Sequence, residues 1–487
     1  MSLVQSVDHV ALLPVYLAAG TAVLVLLADL LVARAAVTVA VAATGAAATA
    51  LGAALVGTGG ERRTFCVGAD CSYLYGGRAA LVGAVFALLT LGVLALSGPL
   101  LRAGRVPVGE YCFLLACAMT GGVVLGAAGD LITLVVALET LTLPLYVLVG
   151  LRRGSLAGAE AAVTFFVVSV VATALTLLGA ALLYAVTGAL HLDRLGTTLA
   201  ADAGLRDLPL TTVAVALVVA GLAFKVAAVP FHAWAPATYD GAPLPVAAYL
   251  STASKLGGVV ALLAVVQRAL PATVTGPVLA GLAVLTMTVG NLVALRQRRT
   301  VRLLAWSSVA QAGYILAPLG ALALAAGRTA DARAGAYAAA VAYAVFFVLL
   351  ELAAFAAVVA LRPADGDGGI LADLRGAARR HPWVGGAFAL ALVGLAGLPP
   401  GLAGLFAKVT VVRALLAGHA GWLALVVALN AVIGLAYYLR LAATLYEAPG
   451  PATARPARMV VVALGAATAL AVVVGFAPQL VLDLAAR

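Results

Sequence analysis

The 487-residue sequence predicts an all-α fold, a polytopic bundle of about 14 transmembrane helices, on three observations. Hydrophobic residues make up 64% of the chain and charged ones 10%, against roughly 45–50% and 25% in soluble domains, and the mean hydropathy is +1.15. Apolar stretches of about 20 residues, enough to cross about 30 Å of hydrocarbon, recur along the whole length. All three lysines, Lys225, Lys255 and Lys408, lie inside such stretches, while the loops take their positive charge from arginine. The 52 glycines suit helices whose backbones approach closely.

The first stretch, 10–32, follows a start without a basic region and lacks a small-residue cleavage pattern before Arg34, so it reads as a retained span. The others fall at 35–57, 79–101, 110–128, 130–150, 157–187, 209–230, 244–270, 275–295, 301–324, 334–361, 383–417, 420–447 and 457–484. The long run 383–417 is interrupted at Leu398-Pro399-Pro400-Gly401 and reads as one broken helix. The seventh span carries a second break at Val229-Pro230. Counted from the fourth span, both breaks fall in the fourth member of consecutive five-helix sets, a spacing that points to two inverted repeats with a functional site at each break. The expected division is 1–109 for helices 1–3, 110–270 and 271–447 for the two repeats, and 448–487 for the last helix.

Subtracting the three lysines from the 29 basic residues leaves 26 arginines. With both termini on the outer side, 16 of these fall on the inner side and 10 on the outer, the sense the positive-inside rule asks for. The net charge of +10 does not signal nucleic acid, because the arginines never cluster with interleaved aromatics. The four cysteines form no CxxC or Cys/His cluster, which argues against zinc, haem c and iron–sulfur centres. Cys66 and Cys71 share an outer loop, where a local disulfide could persist; Cys112 and Cys117 share a helix and are read as packing residues.

An ionisable group at the bilayer centre costs about 2.5–3.5 kcal/mol, so each asks for a reason. Glu139 lies nine residues past Asp130, about 14 Å along the fifth helix. Lys225 precedes the first break, Lys255 lies mid-way along the eighth span, and Lys408 follows the second break. Arginine stays protonated, whereas a buried lysine can release its proton, so lysine in these places points to a proton relay; the alternative is snorkelling or fixed ion pairing. Glu139 is an electrostatic match for Lys225 or Lys255. His232 would share the Lys225 face if the helix continued past Pro230, while His9, His191, His381 and His419 read as solvated. Glu351, in the eleventh span, is open between proton relay and structural pairing. Thr140, Thr142, Thr164, Ser169, Ser251, Ser254, Ser307 and Ser308 either line a hydrated strip or satisfy helix backbone.

These residues sit in runs that resemble a known family. They include Asp130-Leu131-Ile132-Thr133, Ala137-Leu138-Glu139, Leu143-Pro144-Leu145-Tyr146, Ala223-Phe224-Lys225, Pro230-Phe231-His232, Tyr239-Asp240-Gly241-Ala242-Pro243 and Ser251-Thr252-Ala253-Ser254-Lys255. The series continues with Asn291 to Gln297, Arg302 to Ser308, Gln311 to Tyr314, Gly397-Leu398-Pro399-Pro400, Phe406-Ala407-Lys408 and Tyr437-Tyr438-Leu439-Arg440. Over roughly 110–447 the chain is similar to the antiporter-like subunits of proton-translocating NADH–quinone oxidoreductase, respiratory complex I, with the pattern of subunit N. A related cation/proton antiporter subunit is the alternative. The resemblance implies a membrane-arm subunit with no cofactor of its own, partnered by other membrane subunits in the cell's plasma membrane and meeting quinone only indirectly. It implies that Glu139 and Lys225 form the first half-channel, Lys255 the link and Lys408 the second half-channel. Three departures stand out. The family's helix-six lysine is Thr164 here, Glu351 stands where asparagine is common, and Pro236-Ala237 replaces Pro-Asp. One buried positive charge is lost and one negative gained, so either the relay is rewired, with Glu351 serving Lys408 or Lys255, or pumping is impaired.

Overall fold

Each crossing of the bilayer must satisfy its backbone within the segment, so the apolar stretches become helices. The computed structural model describes residues 6–363, 366–448 and 455–486. The spanning helices are α1 (Leu13–Val32), α2 (Ala35–Gly57), α3 (Gly77–Arg102), α4 (Val108–Leu125), α5 (Leu131–Gly150) and α6 (Leu156–Thr187). The seventh is split into α7a (Pro209–Lys225) and α7b (Trp234–Gly241), followed by α8 (Leu244–Arg268), α9 (Ala272–Ala294), α10 (Thr300–Leu316) and α11 (Ala330–Leu361). The twelfth is split into α12a (Pro382–Ala396) and α12b (Leu402–Ala417), and α13 (Gly421–Tyr446) and α14 (Arg458–Phe476) complete fourteen crossings. Eleven of these are long and apolar enough to span by themselves; α10 and the two split helices supply the other three.

The links sort onto two faces. On one face the loop between α2 and α3 is an antiparallel hairpin, β1 (Arg62–Val67) and β2 (Asp70–Tyr75), pinned by the Cys66–Cys71 disulfide. The hairpin is the exception to an all-α reading; its Thr64, Phe65, Val67, Tyr73 and Tyr75 about the Gly68 turn are the strand signal that the apolar spans overshadowed. Leu74 donates to the Ala127 carbonyl at 2.8 Å, Arg62 pairs with Asp8 at 3.2 Å, Arg268 with Asp193 at 2.7 Å, and Arg333 donates to Gln267 at 2.5 Å. On the opposite face Arg299 joins Asp240 at 2.7 Å and Asp367 at 2.8 Å, and Arg440 donates to the Leu295 carbonyl at 2.7 Å. Both ends of the described chain therefore share the hairpin face.

The two five-helix sets pack in the same pattern: α4 on α5, α5 on α6 and α6 on α7 correspond to α9 on α10, α10 on α11 and α11 on α12. Because α4 runs toward the hairpin face and α9 away from it, the sets are inverted. The two breaks also correspond. Ala227 and Gly397 adopt left-handed backbone, at φ 57° and 82°, and each lies three residues before a cis-proline, Pro230 and Pro400.

The first break opens earlier than expected. Helix α7a ends at Lys225, not at Pro230, and resumes at Trp234. The released groups are caught by neighbours: the Val229 N–H donates to Thr286 on α9 at 3.0 Å, and the Trp234 indole to the Phe224 carbonyl at 3.1 Å. Within α8 lies a feature the sequence did not signal, a π-helical turn over Leu250–Ser254 directly before Lys255; such turns recur at functional sites.

Candidate functional site: a buried charge axis

Helix α5 is aligned by Asp130, whose carboxylate accepts from the Thr133 N–H at 2.7 Å as an N-cap. Two turns in, Glu139 meets Lys225 at the last turn of α7a, Nζ to Oε1 2.7 Å. Lys225 is 6% exposed, yet its ammonium uses all three donors: besides Glu139 it reaches Ser169 at 3.0 Å and Thr142 at 3.3 Å. Thr173 donates to Glu139 at 2.6 Å, and Tyr146 to Ser169 at 2.5 Å. Glu139 keeps 20% of its side chain exposed. Glycine sets the depth of the lysine: a Cβ on Gly258 of α8 would stand 2.7 Å from the carbonyl carbon of Lys225.

The central group is Lys255, 2% exposed, whose Nζ donates to the Ser308 carbonyl of α10 at 2.6 Å and lies 6.0 Å from the centre of the Phe347 ring. Beyond it the α10 side chains build a network. Ser307 shares a hydrogen bond with Tyr438 of α13, and Gln311 donates to Tyr438 at 2.9 Å and accepts from Tyr343 at 2.5 Å. Gln311 also donates to the Leu395 carbonyl at 3.1 Å, at the last turn of α12a.

The next carbonyl, Ala396, receives Nζ of Lys408 at 2.5 Å. Lys408 thus reaches back from α12b across the break to the carbonyl end of α12a, where a cation meets the negative end of the helix dipole. Its ammonium lies 5.2 Å over the Tyr314 ring. Asn291 donates to the Tyr314 hydroxyl at 3.2 Å, accepts from Tyr437 at 3.0 Å and bonds Asn430, which reaches part-exposed Thr288 at 3.3 Å.

The structure thus brings Glu139 and Lys225 into contact, while Lys255 and Lys408 each meet a backbone carbonyl instead of a carboxylate. His232 stays apart: the helix does not continue past Pro230, so it does not share the Lys225 face, and its ring lies half-buried 5.0 Å from Trp306. Glu351 is fully buried, and the lysine it interacts with electrostatically is Lys255, not Lys408. Thr164 is part-buried on α6, whereas the residues of that helix that reach the ion pair are Ser169 and Thr173. Ser251, Thr252 and Thr140 spend their hydroxyls on their own helix backbone. His191 is part-buried, its backbone paired with Asp130. Sequence reasoning missed Thr173 and did not rank Gln311, Asn291 and Asn430; amides inside apolar spans were the available signal. Among the described residues no three His, Cys, Asp or Glu side chains gather as a metal set.

Residues 128–434 match the family described as NADH:quinone oxidoreductase/Mrp antiporter, transmembrane. The chain is 77% identical to NADH-quinone oxidoreductase subunit N of Salinispora tropica, covering all of both chains. It is 44% identical to subunit N 2 of Streptomyces griseus over 92% of this chain and 84% of that one. Among solved structures, a chain of respiratory complex I from Thermus thermophilus superposes with a TM-score of 0.81 at 31% identity, covering 97% of this chain and 99% of that one. A chain of the Mrp complex from Dietzia, at 22% identity, 97% and 96% coverage and TM-score 0.82, shares the fold.

Proposed function

Since the chain belongs to the family of NADH-quinone oxidoreductase subunit N, we propose that it moves protons across the membrane within that oxidoreductase, driven by quinone reduction in other subunits. The observation that carries this reading is the Glu139–Lys225 ion pair at 2.7 Å, with two further lysines inside the bundle, Lys255 buried on the Ser308 carbonyl and Lys408 part-buried on the Ala396 carbonyl. A lysine held by a carboxylate and two hydroxyls has its proton acceptor, and hydroxyls that can pass a proton on, within hydrogen-bond distance, as a relay requires. Glu139 and Lys225 form the first half-channel, Lys255 the link and Lys408 the second, within repeats bounded at 110–270 and 271–447. The chain carries no cofactor. Its partners are the other membrane subunits and the lipid bilayer, and the hairpin face with both termini points outward from the plasma membrane, as the arginine count favours.

Lys225→Ala and Lys408→Ala each lower proton pumping in inverted membrane vesicles while the complex assembles; unchanged pumping at normal assembly overturns the reading. The alternative of a sodium/proton antiporter subunit has in its favour that the description of the matching family names the Mrp antiporter as well. It is supported instead if transport requires sodium and the chain copurifies without quinone-reducing subunits. A translocation-deficient paralogue is the other alternative, motivated by Thr164, and Thr164→Lys raising pumping would establish it.

A further inference from the structure

Glu351 is the one charged group of the axis for which the ion-pair geometry above supplies no role. It lies on α11, 0% exposed, and neither carboxyl oxygen has a hydrogen-bond partner among the described residues. Its place on the helix is informative. Tyr343, Phe347 and Glu351 are spaced by four and share one face. Tyr343 donates to Gln311 of the α10 network, and Phe347 carries the Lys255 ammonium 6.0 Å from its ring centre. Glu351 therefore stands one turn beyond the head of Lys255, on the side of α11 that looks into the axis.

Three titratable groups interact electrostatically with it: Lys255 on α8, Tyr239 on α7b and Tyr438 on α13. The first two come from the first repeat and the third from the second, so Glu351 sits where the repeats join. A carboxylate without hydrogen bonds in an apolar interior is costly, while the neutral acid is tolerated, so the group is suited to hold a proton at this point.

We propose that Glu351 is a proton-binding residue of the link, exchanging a proton with Lys255 and passing it toward Tyr438, Gln311 and Lys408. The inference rests on the proton-translocation reading above. The two groups do not hydrogen-bond in this structure, so the transfer runs through an intervening water or a swing of the lysine head. It balances: the Lys255 ammonium loses the proton that the Glu351 carboxylate gains, leaving a neutral amine and a neutral acid, and the reverse transfer restores the two charged forms. The exchange leaves the summed charge of the two residues unchanged, so the proton can shift from one to the other without adding net charge to the interior. It also accounts for the departures from the family pattern. With threonine at 164 and glutamate at 351 the axis holds two opposite-charge couples, Glu139 with Lys225 and Glu351 with Lys255, and Lys408 is the third lysine.

The test uses the intact complex, in membranes and reconstituted in vesicles. Glu351→Gln keeps the shape and removes the exchangeable proton; Glu351→Asp keeps the carboxyl. With assembly unchanged, Glu351→Gln lowers proton translocation roughly tenfold or more, and Glu351→Asp recovers part of it. In infrared difference spectra across the turnover cycle, the wild type shows a protonated-carboxyl band that shifts in heavy water and is missing from Glu351→Gln. Unchanged translocation in Glu351→Gln, or a wild type without that band, overturns the proposal. Lys408→Ala is measured in parallel. If it stops pumping while Glu351→Gln does not, the role of Glu351 fails and the wider reading stands; if neither does, the wider reading fails.

Discussion

Lys225 and Glu139 stabilise each other asymmetrically. Removing the ammonium strands a carboxylate whose remaining partners are hydroxyls, and breaking one side of a buried pair costs more than removing both. Lys225→Met should therefore lower the denaturation midpoint of the purified complex's membrane arm more than the double variant Lys225→Met, Glu139→Gln; equal shifts would count against the pair as a stabilising contact. The penalty falls below the roughly 3–5 kcal/mol of a fully buried pair, because Glu139 keeps 20% exposure. At this scale the sequence was informative where a charge interrupts an apolar run: Glu139, the three lysines and Glu351 all stand out against their neighbours. Partners were less legible. Ser169 and Thr173 are ordinary helix hydroxyls until α6 is laid against α5, and whether Glu351 faces Lys255 or Lys408 depends on the rotation of α11, which hydropathy does not encode. His232 was misplaced because its face was judged by continuing a helix that ends seven residues earlier.

Among the elements, the two split helices depend on small residues at close approaches. Gly397 combines a φ of 82° with the Lys408 stem, whose Cδ would lie 2.6 Å from an added Cβ. Gly397→Ala should cost about 1 kcal/mol or more from the backbone alone and displace the lysine, seen as reduced pumping with the chain still assembled. Gly258→Val should push α8 from α7a, reducing pumping together with thermal stability. Helix positions and the proline breaks were readable because a bilayer demands apolar length and proline removes a donor. The π-helical turn before Lys255 was not, since its five residues have no distinctive composition. Nor was the start of the first break, which is set by left-handed Ala227 and the Val229 bond to Thr286.

For the molecule as a whole, pairs across the loops tie each face together. Arg268 holds the Asp193 carboxyl below its usual range, so this contribution to stability is present above the ordinary carboxylate pKa of about 4 and is lost as pH falls through the lowered value. Unfolding midpoints of wild type and Asp193→Asn should differ at neutral pH and converge in acid. On the same face, replacing Cys66 and Cys71 by serine should release about 2 kcal/mol of chain entropy in the hairpin, detected as faster proteolysis there with pumping unchanged. The inverted packing of the two sets was anticipated from the spacing of the breaks alone, whereas the hairpin that covers one face was not.

The end of α12a carries two neighbouring carbonyls, and each is gripped by a different helix: Leu395 by Gln311 of α10, Ala396 by Lys408 of α12b. A slide or twist of this half-helix would alter both grips at once, so the central network and the last lysine share one anchorage without any side chain touching both.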